Sequence, residues 1–427
     1  MKRISILALI LGAYFVSAAW AQQNAGPPRF GKHPLLRHRI VSGMPKAPGA
    51  AGNQDLAAPA TAAANLKTWD LGHYPGGTWA QLGDINDLGV AVGIGDVLDG
   101  FTHTLAVPVF GPHAGKWIDL GTLGGTSSGG EDGEPVNRIS NTGLIVGHSA
   151  TAEGHVHAFA WTEKSGMVDL GTLADIGYPD YNSSYAVGTN KLGTLIVGWS
   201  GVEVSCLDCA PAWPVVWTPS IVWKNGAPLT KWKINKLDTD GFPELARWYS
   251  WSVNDFGQIV AVAWDNSETI ELPMLWNPRP NGKGWKVMPL PAASDYPYTL
   301  PFSINDRGEI TGSVESEDYA TWLPLYWKPL DPTRQTYSRP IRLALPEGYS
   351  GGYADGINEL GDMTGECWGD AGDQALQWTT KNPAFSQVIG SPTDAWSWSF
   401  SVNNFRIAVL SYGDENCGSC GRSVQLR

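Results

Sequence analysis

Short runs of alternating apolar and polar residues, separated by turn residues, recur from residue 68 to the end of the chain. One turn pattern recurs with them: an apolar residue, Asn, two variable residues and Gly, followed by a β-rich run. The clearest copies are residues 85–89, 253–257, 304–308 and 357–361. Period-two alternation on both sides of such a turn predicts a β-hairpin, with Asn bonding to nearby backbone and Gly supplying positive φ.

Weaker copies of the turn complete a regular series. They lie at residues 139–143 and 188–193, and a last copy at 402–406 has Arg406 in place of Gly. The seven copies are spaced about 50 residues apart, a period that is typical of propeller blades. We therefore assign the Asn residues a structural role in turns rather than a role as metal ligands.

Each repeat contains four strands, which we name A, B, C and D in chain order. The turn joins A to B, and C ends in an aromatic residue. A lone D-type strand at residues 68–71 precedes the first A strand, and the last repeat ends after a C-type strand at 423–426. The sequence therefore predicts an all-β, seven-bladed β-propeller of four-stranded blades, closed by an N-terminal strand that completes the last blade.

The N-terminal residues predict export. Lys2 and Arg3 precede an apolar run that ends in Ala19-Trp20-Ala21, the pattern of a cleaved signal peptide. The run is shorter than the roughly 20 residues that span a bilayer, so a membrane anchor is disfavoured. We predict a signal peptide at 1–21, a flexible Ala/Pro/Gly-rich linker at 22–66 and a propeller domain at 67–427. The protein is then secreted or periplasmic, with no membrane span.

The five cysteines include two Cys-x-x-Cys pairs, Cys206/Cys209 and Cys417/Cys420. Such pairs occur in zinc sites, redox sites and local disulfides, and export favours the disulfides. The blade order places the pairs in the B–C loops of blades three and seven, too far apart to bridge each other. The predicted bridges are Cys206–Cys209 and Cys417–Cys420, with Cys367 as the odd thiol.

The motif Trp117-Ile118-Asp119-Leu120-Gly121-Thr122-Leu123-Gly124-Gly125, the Asn-x-x-Gly turns and the string His157-Ala158-Phe159-Ala160-Trp161 resemble the HAF-repeat bacterial extracellular proteins. The resemblance is strongest for residues 117–173 and weakens beyond about 230. It implies an exported repeat protein and supplies no activity and no catalytic residues.

The residues that could carry chemistry are few. His-Glu-x-x-His is absent from the sequence, and no Gly-rich phosphate loop lies between a strand and a helix. His155 and His157 alternate on one strand without a third ligand, so we expect surface histidines rather than a metal site. Residues 238–241 resemble the start of a calcium loop, but no Glu closes it at the usual distance. The sequence thus predicts no cofactor and no metal, with calcium at 238–241 as the one candidate.

Loop composition differs between the two faces of the predicted propeller. Acidic residues collect in the D–A and B–C loops, which share one face, and Lys and Arg collect in the A–B and C–D loops of the other. The acidic face also carries aromatic residues near the A strands. The predicted ligand-binding residues are Tyr178, Asp180, Tyr181, Trp248, Tyr249, Asp295, Tyr296, Tyr298, Tyr349, Tyr353 and Trp396. The strand-borne Trp161, Trp217, Trp276, Trp327 and Trp378 are predicted to lie in the core instead.

Aromatic rings beside carboxylates suit a sugar, since rings stack on C–H faces and carboxylates accept hydroxyl bonds. The favoured function is a monomeric, non-enzymatic binding module for a glycan or an extracellular protein. The alternative is a glycan-active hydrolase or lyase with carboxylates or a Tyr over the central channel. The net charge of -12 argues against nucleic acid as a partner.

Overall fold

The computed structural model describes residues 66–129, 138–202, 211–224, 227–265, 271–317 and 320–426. In these ranges the chain is all-β, with one short 3₁₀ helix at Leu173–Ile176. None of the described helices has the length and apolarity to cross a membrane. The predicted signal peptide and all but the last residue of the predicted linker lie outside the described residues.

The strands fall into successive antiparallel groups of the A–B–C–D type. Strand β1 is Lys67–Gly72. Group 1 is β2 (Ala80–Ile85), β3 (Val90–Asp96), β4 (Thr102–Pro108) and β5 (Ile118–Asp119). In group 2, strand A has two pieces, β6 (Gly124–Ser128) and β7 (Arg138–Ile139), followed by β8 (Ile145–Thr151), β9 (Val156–Thr162) and β10 (Gly166–Asp169). Group 3 is β11 (Ser183–Thr189), β12 (Ile196–Gly201), β13 (Ala212–Lys224) and β14 (Ala227–Lys236).

The second half of the described chain continues the same order. Group 4 is β15 (Leu245–Val253), β16 (Ile259–Asp265), β17 (Glu271–Pro278) and β18 (Trp285–Pro289), and group 5 is β19 (Tyr298–Ile304), β20 (Ile310–Glu315), β21 (Trp322–Trp327) and β22 (Ile341–Arg342). Group 6 is β23 (Tyr349–Ile357), β24 (Asp362–Gly369), β25 (Gly372–Thr379) and β26 (Asn382–Val388). Group 7 is β27 (Trp396–Val402), β28 (Ile407–Gly413) and β29 (Cys420–Gln425). Consecutive meanders that pack face to face are the arrangement of a β-propeller.

Strand β1 lies beside β29 at the outer edge of group 7. The two strands are antiparallel, with Lys67 opposite Gln425 and Trp69 opposite Ser423. Strand β1 thus extends the sheet of group 7 by one antiparallel strand. The side chain of Arg422 bonds to Asp70 on β1 and to both carboxylate oxygens of Asp394.

The hydrophobic core lies between neighbouring groups. Four tryptophans on the C strands are fully buried, and each indole N–H donates to a backbone carbonyl of the preceding group or of the linker that follows that group. These bonds are Trp217 to Leu170 (2.9 Å), Trp276 to Asp238 (2.7 Å), Trp327 to Pro291 (2.8 Å) and Trp378 to Ala344 (2.6 Å). The core prediction is confirmed for these four, while Trp161 is partly buried against the core between groups 1 and 2.

The recurring turn Asn makes both a local and a long-range bond. Its Oδ1 accepts from backbone N–H groups of its own turn, as Asn358 does from Leu360 and Asp362 at 2.9 Å each. Its Nδ2 donates to the carbonyl of the equivalent residue in the next group. The long-range bonds, each 2.9–3.0 Å, run from Asn86 to Ser140, Asn254 to Asn305, Asn305 to Asn358, Asn358 to Asn403 and Asn403 to Asn86.

Residues that follow the turn Asn link every group to the next. Backbone N–H donors and their acceptors are Asp87 to Asn141 Oδ1 (2.9 Å), Asn141 to Lys191 O (2.9 Å), Leu192 to Asp255 Oδ1 (3.0 Å), Asp255 to Asp306 Oδ1 (2.7 Å), Asp306 to Glu359 Oε2 (2.9 Å), Glu359 to Asn404 Oδ1 (2.9 Å) and Asn404 to Asp87 Oδ1 (2.8 Å). The bonds follow chain order and the last returns to the first group. The turns therefore surround a common axis.

The cysteine predictions divide into one confirmed pair and one outside the described chain. Cys417 and Cys420 form a disulfide with a Cα–Cα distance of 6.1 Å. Cys206 and Cys209 lie outside the described residues. Cys367 is a free, buried thiol on β24, where it contacts the carbonyl of Gln374. Burial raises its pKa well above the usual value, which makes the thiol unreactive.

Candidate functional site

A cavity opens on the D–A/B–C loop face between groups 2 and 3. Its volume is about 720 Å³, within the size range of small-molecule sites. Strand β6, the second half of β8, the loop after β8 and the start of β9 form its wall. His148 and Tyr185 contribute rings whose centroids lie 4.9 Å apart. The rest of the described lining is Gly124, Gly125, Thr126, Ser127, Ser128, Ser149, Ala150, Thr151, Ala152, Gly154 and Val156.

An aromatic cluster lies on the same face, where the chain passes from group 2 to group 3. Tyr178 is 40% exposed and meets Tyr181 edge to face at 6.4 Å, and Tyr181 lies 6.4 Å from Trp213. The Nζ of Lys236 lies 3.2 Å from the ring centre of Trp213 and 5.3 Å from that of Tyr178. Burial lowers the pKa of Lys236. We call these four residues the aromatic patch.

The loop that carries the aromatic patch is held by local capping. Thr172 caps the 3₁₀ helix by accepting from Ala174, and Asp175 accepts in return from the Thr172 backbone. This reciprocal arrangement is a capping box. Gly177 ends the helix at a positive φ of 103° and delivers the chain to Tyr178. The two tyrosines and the exposed Asp180 are therefore presented by an ordered loop.

Four of the predicted binding residues are strand residues and are buried, so their placement in loops was wrong. Trp248 is 0% exposed, and its indole N–H donates to Leu245 within the core of group 4. Tyr249, Tyr298 and Tyr353 are 3%, 5% and 2% exposed. Neighbouring groups cover both faces of each inner strand, so these rings contact other side chains and present no face to a ligand.

The remaining predicted residues lie at other positions of the same face. Asp295 is exposed and forms an ion pair with Arg342, whose guanidinium also lies 4.9 Å from the ring centre of Tyr296. Tyr349 and Trp396 are partly buried at the starts of β23 and β27. The structure therefore brings Tyr178, Asp180 and Tyr181 together in one loop and leaves the others dispersed.

A second, narrower cavity of about 90 Å³ follows the axis, with residues from the A strands and A–B turns of every group in its wall. Asp355 lies in it with both carboxylate oxygens lacking a hydrogen-bond partner in the structure. Burial raises the pKa of Asp355 well above its usual value, and Arg138 opposes the shift. Asp84 instead accepts from Ile139 N (2.9 Å) and Ser401 Oγ (2.6 Å). The volume suits a few water molecules rather than a sugar ring.

Two His–Asp pairs occupy equivalent positions and were missed from the sequence. His103 lies 2.8 Å from Asp119 in group 1, and His157 lies 2.8 Å from Asp169 in group 2. Each imidazole also bonds to the backbone of the next group, at Thr126 and Asn182 respectively. The sequence contains a pattern that indicates this pairing: in both repeats a His lies near the start of strand C, and an Asp-Leu-Gly string lies at the end of strand D.

We expect these pairs to make stability depend on pH. The hydrogen bond to Asp169 raises the pKa of His157, and the bond to Asp119 raises that of His103. A histidine whose pKa is raised in the folded state stabilises the folded protein, and this contribution is fully present below about pH 6.5, the pKa of histidine in the unfolded chain. The contribution disappears as the pH rises through the pKa of the folded state. Urea unfolding at pH 5.5 and 8.5 gives the difference in unfolding free energy between the two pH values. In the double variant His103→Gln with His157→Gln, this difference will be smaller than in the parent chain.

The exposed His113 provides the control for that experiment. His113→Gln will leave the stability difference between pH 5.5 and 8.5 as in the parent chain. An unchanged difference in the double variant would contradict the assignment.

In the candidate calcium loop at residues 238–241, the carboxylate of Asp238 bonds to other groups of the protein. The Oδ2 of Asp238 bonds to Arg279 Nη2 (2.5 Å), and its Oδ1 accepts from the backbone of Asp240 (2.9 Å). No group of three or more His, Cys, Asp or Glu side chains suited to a metal occurs among the described residues.

Comparison with known proteins identifies no family. No family model matches the sequence, and no curated protein matches it. Among solved structures, the chain is similar to the β-propeller domain of the Trilobed protease from Pyrococcus furiosus, with 8% identity, a TM-score of 0.49, and coverage of 82% of this chain and 97% of that one.

Two other solved structures are similar over a large part of this chain. Acylaminoacyl peptidase from Pyrococcus horikoshii has 8% identity and a TM-score of 0.46, covering 78% of this chain and 51% of that one. A sialidase from Trypanosoma rangeli has 12% identity and a TM-score of 0.38, covering 89% and 60%. This chain thus spans between half and three fifths of those two proteins.

Proposed function

We propose that the seven groups are the blades of a closed seven-bladed propeller, with β1 as the D strand of the last blade. The observation that supports closure is the cycle of backbone hydrogen bonds around the axis, in which Asn404 donates to Asp87 (2.8 Å). The pairing of β1 with β29 supports it independently. A ring without open edges also avoids edge-to-edge aggregation.

We further propose that the protein is an exported, non-enzymatic module that binds a glycan on its D–A/B–C loop face. Export is inferred from the signal-peptide pattern at 1–21 and agrees with the Cys417–Cys420 disulfide. Membership of the HAF-repeat proteins, based on residues 117–173, is part of this proposal.

The aromatic patch carries the proposal for glycan binding. An exposed tyrosine ring offers an apolar face for sugar C–H groups, and the neighbouring Asp180 offers a hydroxyl acceptor. The capping box and the contacts with Trp213 and Lys236 hold the rings in place before a ligand arrives, which lowers the entropy cost of binding.

We expect the double variant Tyr178→Ala with Tyr181→Ala to lose at least about 10-fold in glycan affinity, since each stacked ring contributes of the order of 1 kcal/mol. A glycan array will identify the ligand, and isothermal titration calorimetry will give the affinity of parent and variant. The single variant Tyr178→Ala will change the melting temperature little because Tyr178 is exposed, whereas Tyr181 packs partly against the core between groups 2 and 3.

Phe385→Ala is the matched control, because Phe385 has the same 40% exposure as Tyr178 but lies on β26, the D strand of group 6. It will bind as the parent does. A reducing-end assay on the array ligands separates the alternatives: released sugar would establish a hydrolase. An array without a hit, together with a protein partner lost in the tyrosine variant, would make the ligand a protein.

A further inference from the structure

The tips of the A–B turns carry large apolar side chains that are open to solvent. These side chains occupy the second position after the turn Asn in five of the groups. In groups 2 and 5 the equivalent position holds Thr142 and Arg307 instead. The apolar residues are Leu88 (64% exposed), Leu192 (57%), Phe256 (58%), Leu360 (49%) and Phe405 (64%). Hydrogen bonds join each tip to the next around the axis, so these side chains encircle the axis at one level. We name these five residues the turn ring.

The turn ring surrounds an acidic opening. The position immediately after the turn Asn carries carboxylates at Asp87, Asp255, Asp306 and Glu359. Lys191 is the basic residue at this position, and its Nζ lies 3.0 Å from Glu359. Farther from the axis this face carries Lys and Arg: Arg307 pairs with Glu309, and the Arg334 guanidinium lies 4.0 Å from the ring centre of Phe256. At the opening itself, four carboxylates stand against one lysine. Large apolar side chains left open to solvent around one opening mark an interaction site, and the carboxylates at that opening favour a basic partner.

Strand β1 begins on the same side of the molecule as the turn ring. Lys67 pairs with Gln425, and the side chain of Gln425 donates to the carbonyl of Phe405, a member of the ring, at 2.9 Å. The segment that precedes Lys67 therefore leaves the sheet next to the ring.

That preceding segment has complementary chemistry. Residues 22–54 contain five basic residues and no acidic residue, although the whole chain has a net charge of -12. Within it, basic and large apolar residues alternate closely between positions 29 and 41. These residues are Arg29, Phe30, Lys32, Leu35, Leu36, Arg37, Arg39, Ile40 and Val41.

We propose that residues 29–41 dock on the turn ring of their own chain, with a basic side chain at the acidic opening and apolar side chains against the leucines and phenylalanines. The stretch from 42 to 66 contains 25 residues, and a flexible chain of that length has an r.m.s. span of about 25–30 Å. Strand D lies about three strand spacings, roughly 15 Å, from strand A, so the segment reaches the axis. Tethering gives an effective concentration in the millimolar range.

Two other occupants fit the surface less well. A second copy docked ring to ring would place one acidic opening against another, which is unfavourable. An anionic lipid surface would meet the same repulsion. The tethered basic segment is not repelled by the carboxylates of the opening.

Hydrogen–deuterium exchange of the full-length chain tests the docking. Amides of residues 29–41 will exchange at least about 10-fold more slowly in the parent than in the ring variant Leu88→Ser, Leu360→Ser, Phe405→Ser, and 1 M NaCl will reduce the protection. The control replaces by serine three apolar residues outside the ring that are also well exposed: Leu98 (79%), Ile221 (70%) and Leu330 (61%). It will retain the parent's protection.

A variant of the segment itself, Arg37→Glu with Arg39→Glu, leaves the sheets untouched and will lose the protection as the ring variant does. The proposal is overturned if residues 29–41 exchange equally fast in the parent and both variants. Protection that grows with protein concentration would assign the ring to a second copy, and protection that requires anionic vesicles would assign it to a membrane; each result also overturns the proposal.

Discussion

Deletion of residues 67–72 will cost at least about 4 kcal/mol of unfolding free energy, or will make the chain aggregate. The deletion removes the strand paired with β29, the buried side chain of Leu71, and the carbonyl of Leu71 that accepts from Trp117 Nε1 at 2.9 Å. Burying one Leu contributes about 2 kcal/mol and each lost ladder bond about 1 kcal/mol. Denaturant unfolding monitored by tryptophan fluorescence measures the loss.

A deletion of equal length upstream, residues 59–64, is the control and will leave the unfolding free energy unchanged. Light scattering will show whether the strand deletion associates through the exposed edge of β29. If the variant lacking residues 67–72 is as stable and as soluble as the control, β1 does not close the propeller.

The variant Asn358→Ala will lose about 3 kcal/mol of unfolding free energy. Asn358 is 0% exposed, and its amide makes local bonds to Leu360 and Asp362 and a long-range bond to the carbonyl of Asn403 at 2.9 Å. Alanine leaves these buried backbone groups without partners, at about 1 kcal/mol or more each. Urea unfolding of the parent and the variant measures the difference.

Asn382→Ala, at the exposed start of β26, will remain within about 0.5 kcal/mol of the parent. The same substitution at Asn305 and at Asn403 will resemble Asn358, because each crosses to the next group in the same way. A cost no larger than that at Asn382 would mean that the bonds around the axis contribute little to stability.

The order of strands and turns followed from the sequence because it depends on local chemistry. Asn at 86, 254, 305 and 358 with Gly three residues later specifies a tight turn, and the turn at Asn403 forms with Arg406 in the position of Gly. The unmatched D-type strand at 68–71 indicated its partner in the same way, since an unpaired strand edge needs one. The pairing of Cys417 with Cys420 followed from their spacing.

Exposure of the aromatic residues could not be determined from the sequence. Alternation along a strand separates two faces, but in this fold the neighbouring groups cover both faces, so Trp248 and Tyr353 are as buried as Trp276. Tyr178 is exposed because a capped 3₁₀ turn holds it outside the sheets. The tertiary structure also decided that the turn Asn reaches the next group and that His157 meets Asp169. Such contacts depend on the distance and angle between sheets, which the residues of a single repeat do not specify.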